Sequence, residues 1–233
     1  MSLAAALPCA SAADPGGLAR TISGTPAMRQ IALPFPSDAR DPSRIIVGTG
    51  NGHVIDALGE PARWPFRTAL LSGPPRSGKS LLARWFVDAG MGDAVDDADR
   101  MDETALFHAW NRAQESGRPL LIVSALPYGN GAGRWQVVLP DLASRLGAAL
   151  ALEIGPPDDE SMAALLGVQA EMRGLVLDES ATTYLVGRVE RSHLAAERLV
   201  AAIDRLSLER KQAPGIAIWR DALEEIMGPG KPE

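Results

Sequence analysis

A single cysteine, Cys9, stands in 233 residues, which excludes a disulfide framework and any multi-cysteine metal site. The three histidines (His53, His108 and His193) are too scattered to give metal-ligand spacing. Long apolar runs are missing as well, and none approaches the roughly 18 residues of a membrane-spanning helix. Positive charge is in short supply. The 23 Lys and Arg are outnumbered by 29 Asp and Glu, and the net charge of −6 argues against an autonomous DNA binder. What is present is apolar: 46% of the residues are hydrophobic, enough to bury a core and to exclude wholesale disorder. The expectation is a soluble, cytoplasmic α/β chain, one medium domain or a domain with a small companion.

The first 28 residues read differently from the rest, being rich in Ala, Ser, Gly and Pro. Ala10-Ser11-Ala12 resembles a signal-cleavage site, but the basic segment that should precede it is missing and the apolar stretch before Pro8 is short. A flexible tail is expected at 1–28, or an extension ahead of a true start at Met28. Residues 29–43 give a short motif followed by a linker of Pro, Asp and Ser. From 44 to 154 short apolar strands alternate with amphipathic helices. Strands are expected at 68–72, 94–95, 119–124 and 149–154, with helices at 51–58, 80–89, 103–115 and 139–146. That alternation predicts a parallel sheet. Gly155-Pro156-Pro157-Asp158-Asp159 breaks the pattern. Beyond it, 155–227 reads as a wholly helical subdomain, followed by a tail at 228–233.

Gly73-Pro74-Pro75-Arg76-Ser77-Gly78-Lys79-Ser80 matches G-x-x-x-x-G-K-[ST] at every fixed position, after a strand and opening a helix. Such a loop wraps backbone N–H groups around phosphate oxygens. Lys79 brings positive charge to the outer phosphates, the Ser80 hydroxyl is a candidate Mg²⁺ ligand, and the helix N-terminus adds its dipole. Asp96 and Asp97 follow the next strand, where one acid holds Mg²⁺ through water and another orients an attacking water. An acidic turn is the alternative, since Asp93, Asp99 and Asp102 crowd the same stretch.

These residues, taken together, resemble the AAA+ module of bacterial DnaA, and more closely the Hda family of DnaA-related regulators. The likeness runs from about Gln30 to Ile226. It is carried by Gln30-Ile31-Ala32-Leu33-Pro34-Phe35, Ile46-Val47-Gly48, the phosphate loop with Leu81, Asp96-Asp97-Ala98-Asp99-Arg100, Leu139-Pro140-Asp141-Leu142-Ala143-Ser144-Arg145-Leu146 and Val189-Glu190-Arg191-Ser192. The resemblance implies a sheet of strand order 5-1-4-3-2 and a helical lid. The segment before Asp96 is too short for strand 2, an edge strand whose loss leaves the sheet uncut. Nucleotide contacts are implied at Ile46, Val47, Gly48, the phosphate loop and Arg191. Gln30, Ile31, Leu33 and Phe35 look like a peptide that docks on the DNA polymerase III sliding clamp, in an accessible tail; a segment packing on its own domain is the alternative. Arg145 matches an arginine finger, acting in trans on ATP held by DnaA; a surface ion pair with Asp141 is the alternative.

Three departures shape the expectation. DnaA has an Asp-Arg pair where this chain has Ala125-Leu126 (the sensor 1 region). DnaA's lid arginine (sensor 2) aligns with Leu194, beside Arg191 and Arg198. No helix-turn-helix segment follows the lid in this sequence. The resemblance therefore implies ADP or ATP, with Mg²⁺, held by a protein of weak or no ATPase of its own. Its partners would be the clamp and DnaA, with DNA reached only through the clamp and self-association possible. His193 is expected on a helix surface.

Overall fold

The computed structural model describes residues 30–32 and 44–228. Of the N-terminal motif, Leu33 and Phe35 lie outside the described residues, and of Gln30 and Ile31 only the backbone is placed. Two strands open the fold: β1 (Gln30–Ala32) pairs antiparallel with β2 (Arg44–Ile46), Gln30 opposite Ile46. Of the two expectations for this segment, an accessible tail and a segment packed on its own domain, the paired backbone of Gln30–Ala32 matches the second. After helix α1 (Gly52–Leu58) come β3 (Thr68–Ser72), α2 (Lys79–Asp88), β4 (Asp93–Val95), α3 (Glu103–Ser116), β5 (Leu120–Val123), α4 (Pro140–Ala148) and β6 (Leu150–Glu153).

The main sheet is parallel, with strand order β4-β5-β3-β6. This is the expected 5-1-4-3 arrangement with its outermost strand absent: the chain passes from α2 to β4 with no strand between. β3 and β5 lie at its centre and read as continuous apolar runs because both faces are covered. Ala69, Leu71, Leu121 and Val123 point into one core with Val54, Leu58, Leu82 and Phe86 of α1 and α2. Leu70, Leu120 and Ile122 point into the other, with Leu106 and Ala113 of α3 and Leu142 and Leu146 of α4. The strand period of two thus sends alternate residues to opposite helical layers. Trp64 stacks on Phe86 with ring centroids 5.3 Å apart and closes one edge of the first core.

Four helices follow: α5 (Asp159–Glu171), α6 (Glu179–Val186), α7 (His193–Arg210) and α8 (Ile216–Met227). They bury a third core of their own, built on Met162, Leu166, Leu185, Leu199, Ile203 and Leu223. α5, α6 and α7 start the same way. Asp158, Asp178 and Ser192 accept the N–H three residues ahead, satisfying one of the donors that a helix start leaves open.

Asp158 also reaches back to the sheet. One of its oxygens accepts from the Thr49 N–H at 3.0 Å and the Thr49 hydroxyl at 2.7 Å. The other takes the Ser161 N–H at 2.7 Å. Burial opposes the charge, but these hydrogen bonds outweigh it and hold the carboxyl well below the ordinary carboxylate range. The loop between β2 and α1 is thereby tied to the first turn of α5. The approach is close enough to require glycine: a Cβ on Gly48 would lie 1.9 Å from Ser161 Oγ.

Candidate functional site

The phosphate loop lies at the carboxyl end of β3 and runs directly into α2. Gly78, at φ 85°, turns the chain into the helix in a conformation that a side chain would strain. Lys79 folds back over the loop, and its ammonium donates to the carbonyls of Gly73 at 2.7 Å and Pro74 at 2.9 Å. Burial lowers its pKa, while the carboxylates of Asp96, Asp99 and Asp97 pull the other way. Those three acids therefore lie within electrostatic reach of Lys79. Asp96 and Asp97 are exposed at the end of β4, and the Asp97 N–H donates to Asp96 Oδ1 at 2.9 Å. Asp99 is held more firmly: the N–H of Ala125, after β5, donates to its Oδ1 at 3.1 Å. The sequence places Asp99 in the Asp96–Arg100 motif and among the crowding acids of the turn, but gives it no role, because the strand pairing that brings Ala125 to it is not local.

A cavity of about 110 Å³ opens beside the loop. Ile46 lines it from the end of β2 and Asn51 from the β2–α1 loop, Arg76, Ser77, Gly78 and Leu81 from the phosphate loop and α2, and Leu165 and His193 from the lid. A smaller cavity, about 10 Å³, continues it between Ile154 and Pro157, again with His193 in the wall. Asn51 shapes the entry, its amide donating to the Ile46 carbonyl at 2.7 Å and accepting the Gly48 N–H at 2.8 Å. Val47 and Gly48 continue this loop toward Asp158. Pro75 is an exposed turn residue, and Ser80 is exposed in the first turn of α2. Arg76 spans the cleft and pairs with Glu197 of α7 at 3.1 Å, tying the phosphate loop to the lid.

Arg191 forms an ion pair with Asp159 at 2.7 Å, both side chains mostly exposed, and does not line the cavity. The cavity wall is made instead by His193, which had been expected at a helix surface. The cap at Ser192 is the reason. Arg191 precedes it and leaves the helix direction, whereas His193 is the first helical residue and faces inward. Burial, and then the positive charge of Lys79, lower the His193 pKa.

Arg145 lies on α4, and its partner is Asn111 Oδ1 at 2.5 Å rather than Asp141. Its guanidinium also packs over the rings of Phe107 and Trp110, 4.2 and 4.3 Å from their centroids. Glu103 of the same α3 stripe accepts the N–H groups of Val138 and Leu139 at 2.9 and 2.7 Å, anchoring the start of α4. Residues 103, 107, 110 and 111 share one helical face, so one side of α3 sets both the helix and its arginine. The aromatic seat was not foreseen, since nothing local links residues 107–111 to 145.

Among the described residues no cluster of three His, Cys, Asp or Glu side chains is placed to hold a metal ion. The Ser80 hydroxyl with the Asp96 carboxylate is instead a sparse set of hard oxygen donors. It fits Mg²⁺, which keeps several waters and shares phosphate oxygens with its protein ligands. No described helix is long and apolar enough to cross a membrane.

A parallel sheet of this order, a phosphate loop on a central strand, acids at the end of the edge strand β4 and a helical lid over the cleft define an α/β P-loop fold of the AAA+ class. Comparison with solved structures agrees. The chain resembles domain III of the Thermotoga maritima replication initiation protein DnaA, with a TM-score of 0.61 and 16% identity over 78% of this chain and 95% of that one. It also resembles AMPPCP-bound DnaA from Aquifex aeolicus, with a TM-score of 0.52 and 16% identity over 76% and 69% of the two chains. The Thermotoga maritima Holliday-junction branch-migration motor RuvB matches with a TM-score of 0.54 and 18% identity over 77% and 70%. No family model matches the chain.

Proposed function

We propose that this protein is a nucleotide-bound regulator of replication initiation, acting on DnaA rather than on DNA. The observation that carries the reading is the pairing of two sites: a phosphate loop roofed by a lid, and an arginine fixed on a separate helix. In the nucleotide site, the N–H groups of the loop and Lys79 hold the phosphates of ADP or ATP. Ile46, Leu81 and Leu165 form the apolar wall for the rest of the ligand. Ser80 and Asp96 would hold Mg²⁺, which offsets phosphate charge when bound. Asp97 would orient a water beside the phosphates. Ala125 and Leu194 leave the family's sensor positions without charge, which favours a bound nucleotide that is kept rather than turned over.

Arg145 then serves a partner. With its guanidinium half-buried over Phe107 and Trp110, it is pre-oriented, and it stabilises transition-state charge on ATP bound by DnaA, giving ADP-DnaA. Gln30, Ile31, Leu33 and Phe35 supply the link to the polymerase III sliding clamp, an extended peptide with one amide anchor and spaced apolar side chains. Docking exchanges the β1–β2 pairing for the clamp groove. Clamp co-elution tests this part: Gln30→Ala with Phe35→Ala should abolish it and leave ADP affinity unchanged, and retained co-elution would remove the peptide assignment. For the nucleotide site, Lys79→Ala should shrink the ADP-induced rise in melting temperature, because a ligand stabilises in proportion to its occupancy. Equal rises in both proteins would contradict the assignment. An autonomous ATPase remains the contrasting reading, marked by steady-state turnover that Lys79→Ala abolishes.

A further inference from the structure

The polar groups around the cleft are nearly all spoken for. Lys79 is held by the carbonyls of Gly73 and Pro74, Arg76 by Glu197, and Asn51 by the Ile46–Gly48 loop. Three side-chain atoms are not: Ser161 Oγ, beside the smaller cavity, and two in the wall of the larger one. Ser77 Oγ, on a residue only 6% exposed, and His193 Nδ1 are both buried without a hydrogen-bond partner. They come from opposite sides of the same cavity, Ser77 from the phosphate loop and His193 from the first turn of the lid helix α7. Buried polar atoms without partners are costly, and two that face one cavity mark a place where a ligand completes the bonding.

We propose that His193 is a direct ligand contact from the lid, its Nδ1–H donating to a phosphate oxygen that Ser77 Oγ meets from the other side. This rests on the nucleotide reading above and adds the residue through which the lid senses the phosphates. Three features favour a phosphate oxygen over the base. His193 shares its cavity with Ser77 and Gly78 of the phosphate loop. Lys79 lies within electrostatic reach of His193, so its charge draws an anion to this side of the cavity. An imidazole can carry its N–H on Nδ1, the nitrogen left here without a partner. Glu197, one turn along α7, already holds Arg76, so phosphate binding would bring two residues of one helix turn to bear on the loop. Closure of the lid over the ligand is then driven by bonds that the empty protein does not make.

The test is displacement of a fluorescent ADP analogue by ADP and by adenosine, comparing the full chain with His193→Ala, His193→Gln and Lys79→Ala. His193→Ala should weaken ADP about 10-fold, the loss of one hydrogen bond to a charged group. It should leave adenosine within twofold and leave the melting temperature of the ligand-free protein unchanged, because Nδ1 has no partner to lose. His193→Gln, which keeps a donor, should recover part of the ADP affinity. ADP binding within twofold of the parent in His193→Ala would overturn the proposal, as would an equal loss for ADP and adenosine. Should His193→Ala prove unstable, His193→Gln alone decides, with an ADP-selective loss supporting the contact and no such loss refuting it. Absence of ADP binding by the parent chain would instead sink the nucleotide reading. Loss in Lys79→Ala without loss in either His193 variant would sink only this inference.

Discussion

Gly48→Ala places a methyl group where the structure has no room. The added Cβ would lie 1.9 Å from Ser161 Oγ, 3.2 Å from Ser161 Cβ and 3.3 Å from Asp158 Oδ2. Ser161 is only 5% exposed, so its hydroxyl cannot swing into water to relieve the first contact. The loop must therefore move away from α5, and that movement stretches the bonds from Thr49 to Asp158, now 3.0 and 2.7 Å. Overpacking of this kind costs about 2 kcal/mol. For a chain of this size that is a fall in melting temperature of about 4–8 °C. Thermal unfolding of four proteins checks the reasoning: the parent, Gly48→Ala, Ser161→Ala and the double variant. Ser161→Ala removes the atom at 1.9 Å, so the double variant should regain about 1 kcal/mol over Gly48→Ala, a coupling of the size expected for residues in contact. A Gly48→Ala protein that melts with the parent, or two costs that simply add, would show that the loop and the lid are not wedged together at this point.

Two further outcomes follow from the same geometry. Asp158 has a folded-state pKa below its ordinary 3.8, so its contribution to stability is present above that pH and is lost as the pH falls toward the depressed value. Denaturant unfolding between neutral pH and the acid limb should show a shallower pH slope for Asp158→Asn than for the parent. Identical slopes would remove the carboxylate from the account. Arg145→Lys gives up the planar stacking on Phe107 and Trp110, each such contact contributing about 0.5–1 kcal/mol, and should lower stability by about 1 kcal/mol. Chemical denaturation that finds Arg145→Lys as stable as the parent would mean that the aromatic seat does not hold the guanidinium in solution.

Much of the sheet is legible in the sequence because its signals are local. Leu120–Val123 is an apolar run between Pro119 and Ser124, Gly90 and Gly117 stand just past the helices they close, and Asp102, Asp158, Asp178 and Ser192 announce helix starts as capping residues. The phosphate loop is legible for the same reason, its chemistry lying within eight consecutive residues. What escaped depends on contacts across the chain. The cap at Ser192 decides whether Arg191 or His193 faces the cleft, and a sequence shows the cap but not the rotation. Phe107, Trp110 and Asn111 meet Arg145 only after β5 and α4 have packed against α3. Phe66 and Arg67 adopt positive φ values of 50° and 49°, a conformation that neither side chain favours. The Gln114 amide, donating to the Phe66 carbonyl at 2.8 Å, helps hold that turn from 48 residues away. Asp99 and Ala125 were brought together by the pairing of β4 with β5, and the missing outer strand was read correctly because chain length alone leaves it no room.

The central claim is that Arg145 acts on a nucleotide held by another protein. Its direct test is single-turnover hydrolysis of ATP bound to DnaA, in the presence of clamp-loaded DNA, by the parent chain, Arg145→Ala and Arg145→Lys. The account expects acceleration by the parent, none by Arg145→Ala and little by Arg145→Lys, with ADP binding by the regulator intact in all three. No acceleration by the parent, with clamp and nucleotide binding both intact, would contradict it.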